Sequence, residues 1–415
     1  MSSAPTLPID SPPRPRPTPA AWCFALGAVL LTFAFCAVQL HWRSYFAVPL
    51  PWSDSARSIA RCALALSVPA VAMGVLRGLK DRWSVLGVTV AASLFCAAYA
   101  EVLHTWIVDR ANFDPNFHTN AEWQWNLHNA IMGLERWCAP HVFRFLPDCI
   151  VSFNFWLTGD REWSIHVFRF GANTALFAMI LRYARVYLSV VWSFGPMLVV
   201  AMLYPVTILR YNGQFTDPLA HFSLVAGLFF LARRHEPGFF AAFFAGILAK
   251  ESINLLAPCR CFHGNWRRSF LLGFIYLAAG LALTVAVRRY IQGPIPVAYT
   301  SISGTGARQV FGNWGARGIW WPMYAVTIGA LLPGAVAGWR HIDAAFRATC
   351  VTVVLGTIAS NLFISLMWEV RNVVPAFIPL AILNFRYLET VLARGTATPR
   401  LNRSGASQVT APSRV

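Results

Sequence analysis

The chain has 415 residues, 57% of them hydrophobic and 12% charged, where a soluble globular protein carries about a quarter charged. Mean hydropathy is +0.51, and apolar runs of ~18 or more residues recur from Trp22 to Leu392, which excludes a soluble enzyme, a disordered chain and a small disulfide-stapled domain. The net charge of +17 does not point to nucleic acid, because the bases are dispersed between apolar spans, where Lys and Arg set orientation in a bilayer.

The pattern predicts an all-α polytopic integral membrane protein with about twelve transmembrane helices. Residues 1–20 are Pro-rich and read as a disordered cytoplasmic tail, not a signal peptide. The membrane domain covers 21–392, with spans expected at 22–40, 60–76, 83–106, 163–181, 189–209, 218–232, 238–249, 252–264, 269–287, 319–339, 348–366 and 373–392. Residues 393–415 are a second polar, basic tail. With both termini cytoplasmic, 19 bases and five acids fall inside, against 15 bases and 12 acids outside. The rule counts bases, so this orientation puts both ends in the cytoplasm, and the expected location is a bacterial inner (plasma) membrane.

A long outer loop, 109–162, follows the third span. Within it Trp123, Leu127, Ala130, Ile131, Leu134 and Trp137 recur at helical spacing, with Glu122, Gln124, His128 and Asn129 largely opposite, so 121–138 reads as an amphipathic interfacial helix. The segment 146–157 reads as a re-entrant or interfacial piece on the same side. Cys138 and Cys149 are either a disulfide or two packed thiols. A second outer loop, 288–318, carries Arg288, Arg289, Arg308 and Arg317 without an acid and is expected to hold an anionic donor or acceptor.

Three features carry chemistry. In "RYNGQFTDPLAHF", Arg210, Tyr211 and Asp217 sit in a short outer loop. In "FFAGILAKESINLLAP", Lys250 and Glu251 separate two apolar segments too short to cross alone; twelve helical residues reach only ~18 Å against a hydrocarbon core of ~30 Å. Lys250 is one of only two lysines, and the break predicts a hairpin with a charged tip near the outer interface. An ionisable group at the bilayer centre costs ~2.5–3.5 kcal/mol on insertion scales, so this tip must pair, reach water or hold a ligand. In "LMWEVRNVVPAF", Glu369 and Arg371 mark another outer boundary, as ligand groups or as ion pairs tying hairpin tips together. Carboxylates and cations at a bundle mouth suit group transfer from a lipid phosphate: a carboxylate as base toward a hydroxyl, Arg and Lys on the leaving phosphate.

At these residues the sequence resembles the GT-C-type membrane glycosyltransferases, polytopic enzymes that use polyprenyl-phosphate sugars on the extracytoplasmic face. The resemblance covers roughly residues 100–385 and includes "RFLP", Arg144 to Pro147. It implies Asp109 or Asp114 as catalytic base, with Asp54 a rival because the family's acid directly follows its first span. It implies Lys250, with Arg144, Arg210 and Arg371, at the donor phosphate, and Glu251, Asp217, Glu369 and Tyr211 in support. The implied partners are a polyprenyl-phosphate-linked sugar and membrane lipid, not nucleic acid. No cofactor is required and no metal-ligand spacing is seen, though the pattern leaves room for a divalent ion beside Asp109 and Asp114. A glycan polymerase or ligase, a secondary transporter and a structural subunit are the competing readings.

Overall fold

The computed structural model describes residues 82–104, 116, 118–135, 141–208, 216–292, 307–365, 367 and 369–395. The expected spans 22–40 and 60–76, the tail 1–20, the tail 393–415 beyond residue 395, and Asp54, Asp109, Asp114, Arg210 and Tyr211 lie outside them; residues 393–395 continue the last helix. The described residues are helical and contain no strand. Among the described residues four helical stretches are long and apolar enough to cross a bilayer: Arg161–Ala184, Trp266–Tyr290, Ala344–Phe363 and Val370–Ala393. Three shorter apolar helices accompany them, Val85–Glu101, Thr216–Ala232 and Glu236–Ala249.

Helix α1 (Arg82–His104) leads to an amphipathic α2 (Asn120–Met132) and then α3 (Phe145–Thr158). The long α4 (Arg161–Ala184) is followed by α5 (Phe194–Ile208), α6 (Thr216–Ala232), α7 (Glu236–Ala249) and a five-residue α8 (Leu256–Arg260). Beyond them come α9 (Trp266–Gln292), α10 (Ala307–Gly315), α11 (Arg317–Tyr324), α12 (Ala330–Gly338), α13 (Ala344–Phe363) and α14 (Val374–Gly395). Local chemistry sets the helix starts. Thr119 accepts a hydrogen bond from the Glu122 amide, Asp160 from that of Trp163, and Asp343 from that of Phe346, each satisfying one orphan first-turn donor. Gly159 ends α3 in the left-handed region at φ 71°, which turns the chain back along α4.

The core joins α1, α4, α5, α6, α7, α13 and α14 through side chains such as Phe177, Met197, Val225, Phe243, Phe346 and Phe377. By contrast α9 exposes Phe270, Leu271, Phe274 and Ile275, an apolar face of the kind that water does not tolerate and lipid does. Where α12 crosses α14, a side chain on Gly338 would overlap the Leu383 carbonyl, so the backbones meet directly.

Several expectations need adjusting. The amphipathic helix expected over 121–138 ends at Met132, and Leu134 sits at φ 55°. Gln124 and His128, placed on its polar outer face, are buried at 1% and 3% exposure, because α3 folds back over that face. The span expected at 252–264 is a 3₁₀ turn (Glu251–Leu255) and the short α8. The span at 319–339 is helical but widened by a π turn at Ala325–Gly329. Cys149 is a free thiol, and Cys138 lies outside the described residues.

Candidate functional site

The α7–α8 hairpin places the charged tip. Its fourteen-residue α7 rises only ~21 Å. Gly246 lets α7 press against Ser223 of α6 and Ile253 of the returning turn. At the base Arg260 pairs with Glu236 at 3.2 Å. The C-terminal part of α14 lies at that same end of the bundle, where Glu389 accepts the Ser189 amide at 3.1 Å. At the other end Lys250 is extended (φ −164°, ψ 131°) and breaks the helix, while its amide still caps α7 by donating to Gly246 at 2.8 Å.

Around this break the predicted residues meet. Lys250 Nζ donates to Asp217 Oδ1 and to Asn372 Oδ1, both at 2.6 Å. Asp217, at the start of α6, also receives Arg371 at 3.3 Å. Arg371 reaches back to Glu369 at 3.2 Å, and Asn372 donates to the same carboxylate at 2.9 Å. Beside them Arg144 grips Glu251 with two parallel bonds, Nε to Oε2 at 2.9 Å and Nη2 to Oε1 at 2.7 Å, the fork geometry that guanidinium and carboxylate favour. Three cations therefore face three carboxylates contributed by four stretches of chain. All are buried except Glu251, whose side chain is 32% exposed and marks the way in.

Two histidines border the cluster. His221, one turn after Asp217, hydrogen-bonds the Arg371 backbone, and its Nδ1 has no partner among the described residues. The Thr216 hydroxyl and Glu369 Oε1 are likewise buried without one. His141 lies in the 3₁₀ turn His141–Phe143 before α3. Burial, reinforced by the positive fields of Arg144, Arg371 and Lys250 and opposed by Glu251, lowers its pKa to about 3, so it stays neutral.

Of the ten residues expected at the site, Arg144, Asp217, Lys250, Glu251, Glu369 and Arg371 fall in this one network. The other four lie outside the described residues. Asn372 and His221 were not anticipated; the Asp217–His221 spacing of four, one helical turn, was the available signal. A second buried pair also escaped the sequence reading. Arg169 of α4 holds Glu101 of α1, Nε to Oε2 at 2.8 Å, with His166 Nδ1 2.7 Å from Glu101 Oε1. Each is an isolated ionisable residue inside an apolar run, a signal that carries weight. Of the second outer loop's arginines, Arg288 lies over Phe143 at 5.1 Å and Arg317 over Trp314 at 5.5 Å. Among the described residues no group of three or more His, Cys, Asp or Glu has the arrangement to hold a metal ion.

The arrangement can do two things chemically. It can screen buried charge by mutual pairing, which holds four segments in register. It also presents Arg and Lys donors beside carboxylates, with the one partly exposed carboxylate, Glu251, at its edge, where an anionic ligand can take a carboxylate's place as partner to a cation. No family model, curated protein or solved structure matches the chain.

Proposed function

We propose that this chain is a membrane glycosyltransferase that moves a sugar from a polyprenyl-phosphate donor to an acceptor on the extracytoplasmic face. About twelve spans, both termini in the cytoplasm and an inner-membrane location complete the reading, supported by the distribution of bases between loops. The observation that carries it is the convergence of Lys250, Arg371 and Arg144 on one buried cluster at a helix break. Lys250 and Arg371 would hold the donor phosphate and stabilise its charge as it leaves, with Arg144 at the entrance. Asp109 or Asp114 would take the acceptor proton, and Arg210 would join the donor-phosphate binding with Tyr211 in support.

The test is transfer in proteoliposomes supplied with a polyprenyl-phosphate sugar. Arg144→Gln, at the cluster's edge, should lower turnover at least ~100-fold, within the range seen when one charge-stabilising donor is lost. Turnover equal to wild type in a folded variant would contradict the reading. A second reading, secondary transport, draws on the same break: a discontinuous helix with buried ionisable residues is how transporters place a midplane site. Proton-driven uptake of a solute by the same vesicles, without transfer, would select it.

A further inference from the structure

Away from the charged cluster, α2 and α3 pack antiparallel and bring together three residues that the reading above does not use. His128 Nδ1 lies 2.9 Å from Asp148 Oδ1, and His128 Nε2 lies 3.3 Å from Ser152 Oγ. Asp148 and Ser152 are one turn apart on α3, so one face of that helix presents both to one imidazole. When the Nδ1 proton is donated to Asp148, Nε2 is left bare and accepts the Ser152 hydroxyl. This is the relation of orienting acid, base and nucleophile that activates a serine.

The surroundings fit that role. Asp148 is fully buried and His128 is 3% exposed, whereas Ser152 is partly open. Trp125 packs against the His128 ring with centroids 4.8 Å apart, fixing its plane. Ser152 is mid-helix, so its own amide is committed to the helix and an oxyanion donor must come from a side chain. One turn before His128 on the same face, the Gln124 amide is 1% exposed, and neither its nitrogen nor its oxygen has a partner among the described residues. One turn from Ser152 in the other direction opens an apolar pocket of about 540 Å³, lined by Ile131 and Met132 of α2, Phe145 and Cys149 of α3, and Val287 and Tyr290 of α9.

We propose that Ser152, His128 and Asp148 form an acyl-transfer site at the membrane interface, independent of the charged cluster, whose substrate is an ester with an apolar acyl chain. Ser152 Oγ bonds to the ester carbonyl carbon as its proton passes to His128 Nε2. The ester C–O bond then breaks, and the departing alkoxide takes that proton. Water, or an acceptor hydroxyl, attacks the acyl-serine with His128 again as base, releasing the acid or the new ester and restoring the Ser152 hydroxyl. Gln124 faces the carbonyl oxygen, and the pocket takes the chain.

The test is an alkyl fluorophosphonate applied to the full-length protein in mild detergent, with the adduct located by peptide mass spectrometry. One adduct on Ser152 is expected, absent in Ser152→Ala, which leaves the His128–Asp148 pair intact. His128→Gln should slow labelling by about 100-fold or more, the usual worth of a general base. Should that buried substitution unfold the helix pair, Asp148→Asn, nearly isosteric, replaces it with the same expected direction. No labelling of wild type beside a labelled reference hydrolase would overturn the proposal. So would a Ser152 adduct formed at an unchanged rate in the folded His128 or Asp148 variant.

Discussion

Replacing Lys250 by methionine removes the cation at the helix break and keeps most of its apolar stem. Asp217 then keeps Arg371 at 3.3 Å but loses the 2.6 Å bond from Lys250, and the Asn372 amide oxygen loses its donor. Both partners of the lost pair are more than nine-tenths buried, so water replaces little of what is lost. Breaking one side of such a pair costs about 3–5 kcal/mol, largely from the carboxylate left behind. The Lys250→Met/Asp217→Asn double variant removes both charges together and should recover ~2 kcal/mol or more of that, a coupling within the range for residues in direct contact. Unfolding in a mixed-detergent titration, followed by tryptophan fluorescence, measures Lys250→Met, Asp217→Asn and the double variant against wild type. A single variant losing under ~1 kcal/mol, or a double variant no better than the sum of its parts, would refute this account of the cluster.

Three further outcomes follow from the same structure. The Glu251→Gln change should cost less than Lys250→Met, ~1–2 kcal/mol, because the amide oxygen still accepts one Arg144 bond and water reaches the 32%-exposed side chain at position 251; equal costs in the same titration would place the entrance elsewhere. His141 binds its proton in the unfolded chain near pH 6.5 and in the folded protein only near 3, so its contribution is complete above pH 6.5 and lost as pH falls toward 3. Relative to His141→Gln, wild type should therefore lose up to ~1.4 kcal/mol per pH unit in that window; parallel stability curves would refute the assignment. Gly338→Ala drives a methyl into the Leu383 carbonyl and should destabilise by about 1–3 kcal/mol, with a lowered melting temperature in detergent as the readout; an unchanged value would show that α12 and α14 separate freely.

The sequence made the charged tip legible because apolar length and charge conflict there. Two segments each too short to cross, with one of only two lysines between them, have few physical solutions, and the Glu236–Arg260 pair closes the base of the expected hairpin. Asp217 and the Glu369/Arg371 pair were legible for a similar reason, as charge at the edge of an apolar run. Their partners were not. Arg144 meets Glu251 across 107 residues, a distance that local pattern does not encode. The inward turn of Gln124 and His128 was hidden as well, because periodicity ranks faces by polarity, and here α3 covers the polar face and pairs His128 with Asp148. Glu101 and Arg169 lay inside spans read for hydropathy alone, where a single charge in each helix lowers the average only a little and the pairing between α1 and α4 leaves no local trace.

The central claim, that the buried cluster holds a polyprenyl-phosphate donor, is tested most directly by the lipid that accompanies the protein. Wild type and the charge-neutral Lys250→Met/Asp217→Asn variant would be purified in mild detergent, checked for equal monodispersity and analysed by lipid mass spectrometry. A polyprenyl phosphate, free or carrying a sugar, should accompany wild type and be lost from the variant. Wild type free of any such lipid, or a variant that retains it at the wild-type amount, would contradict the account.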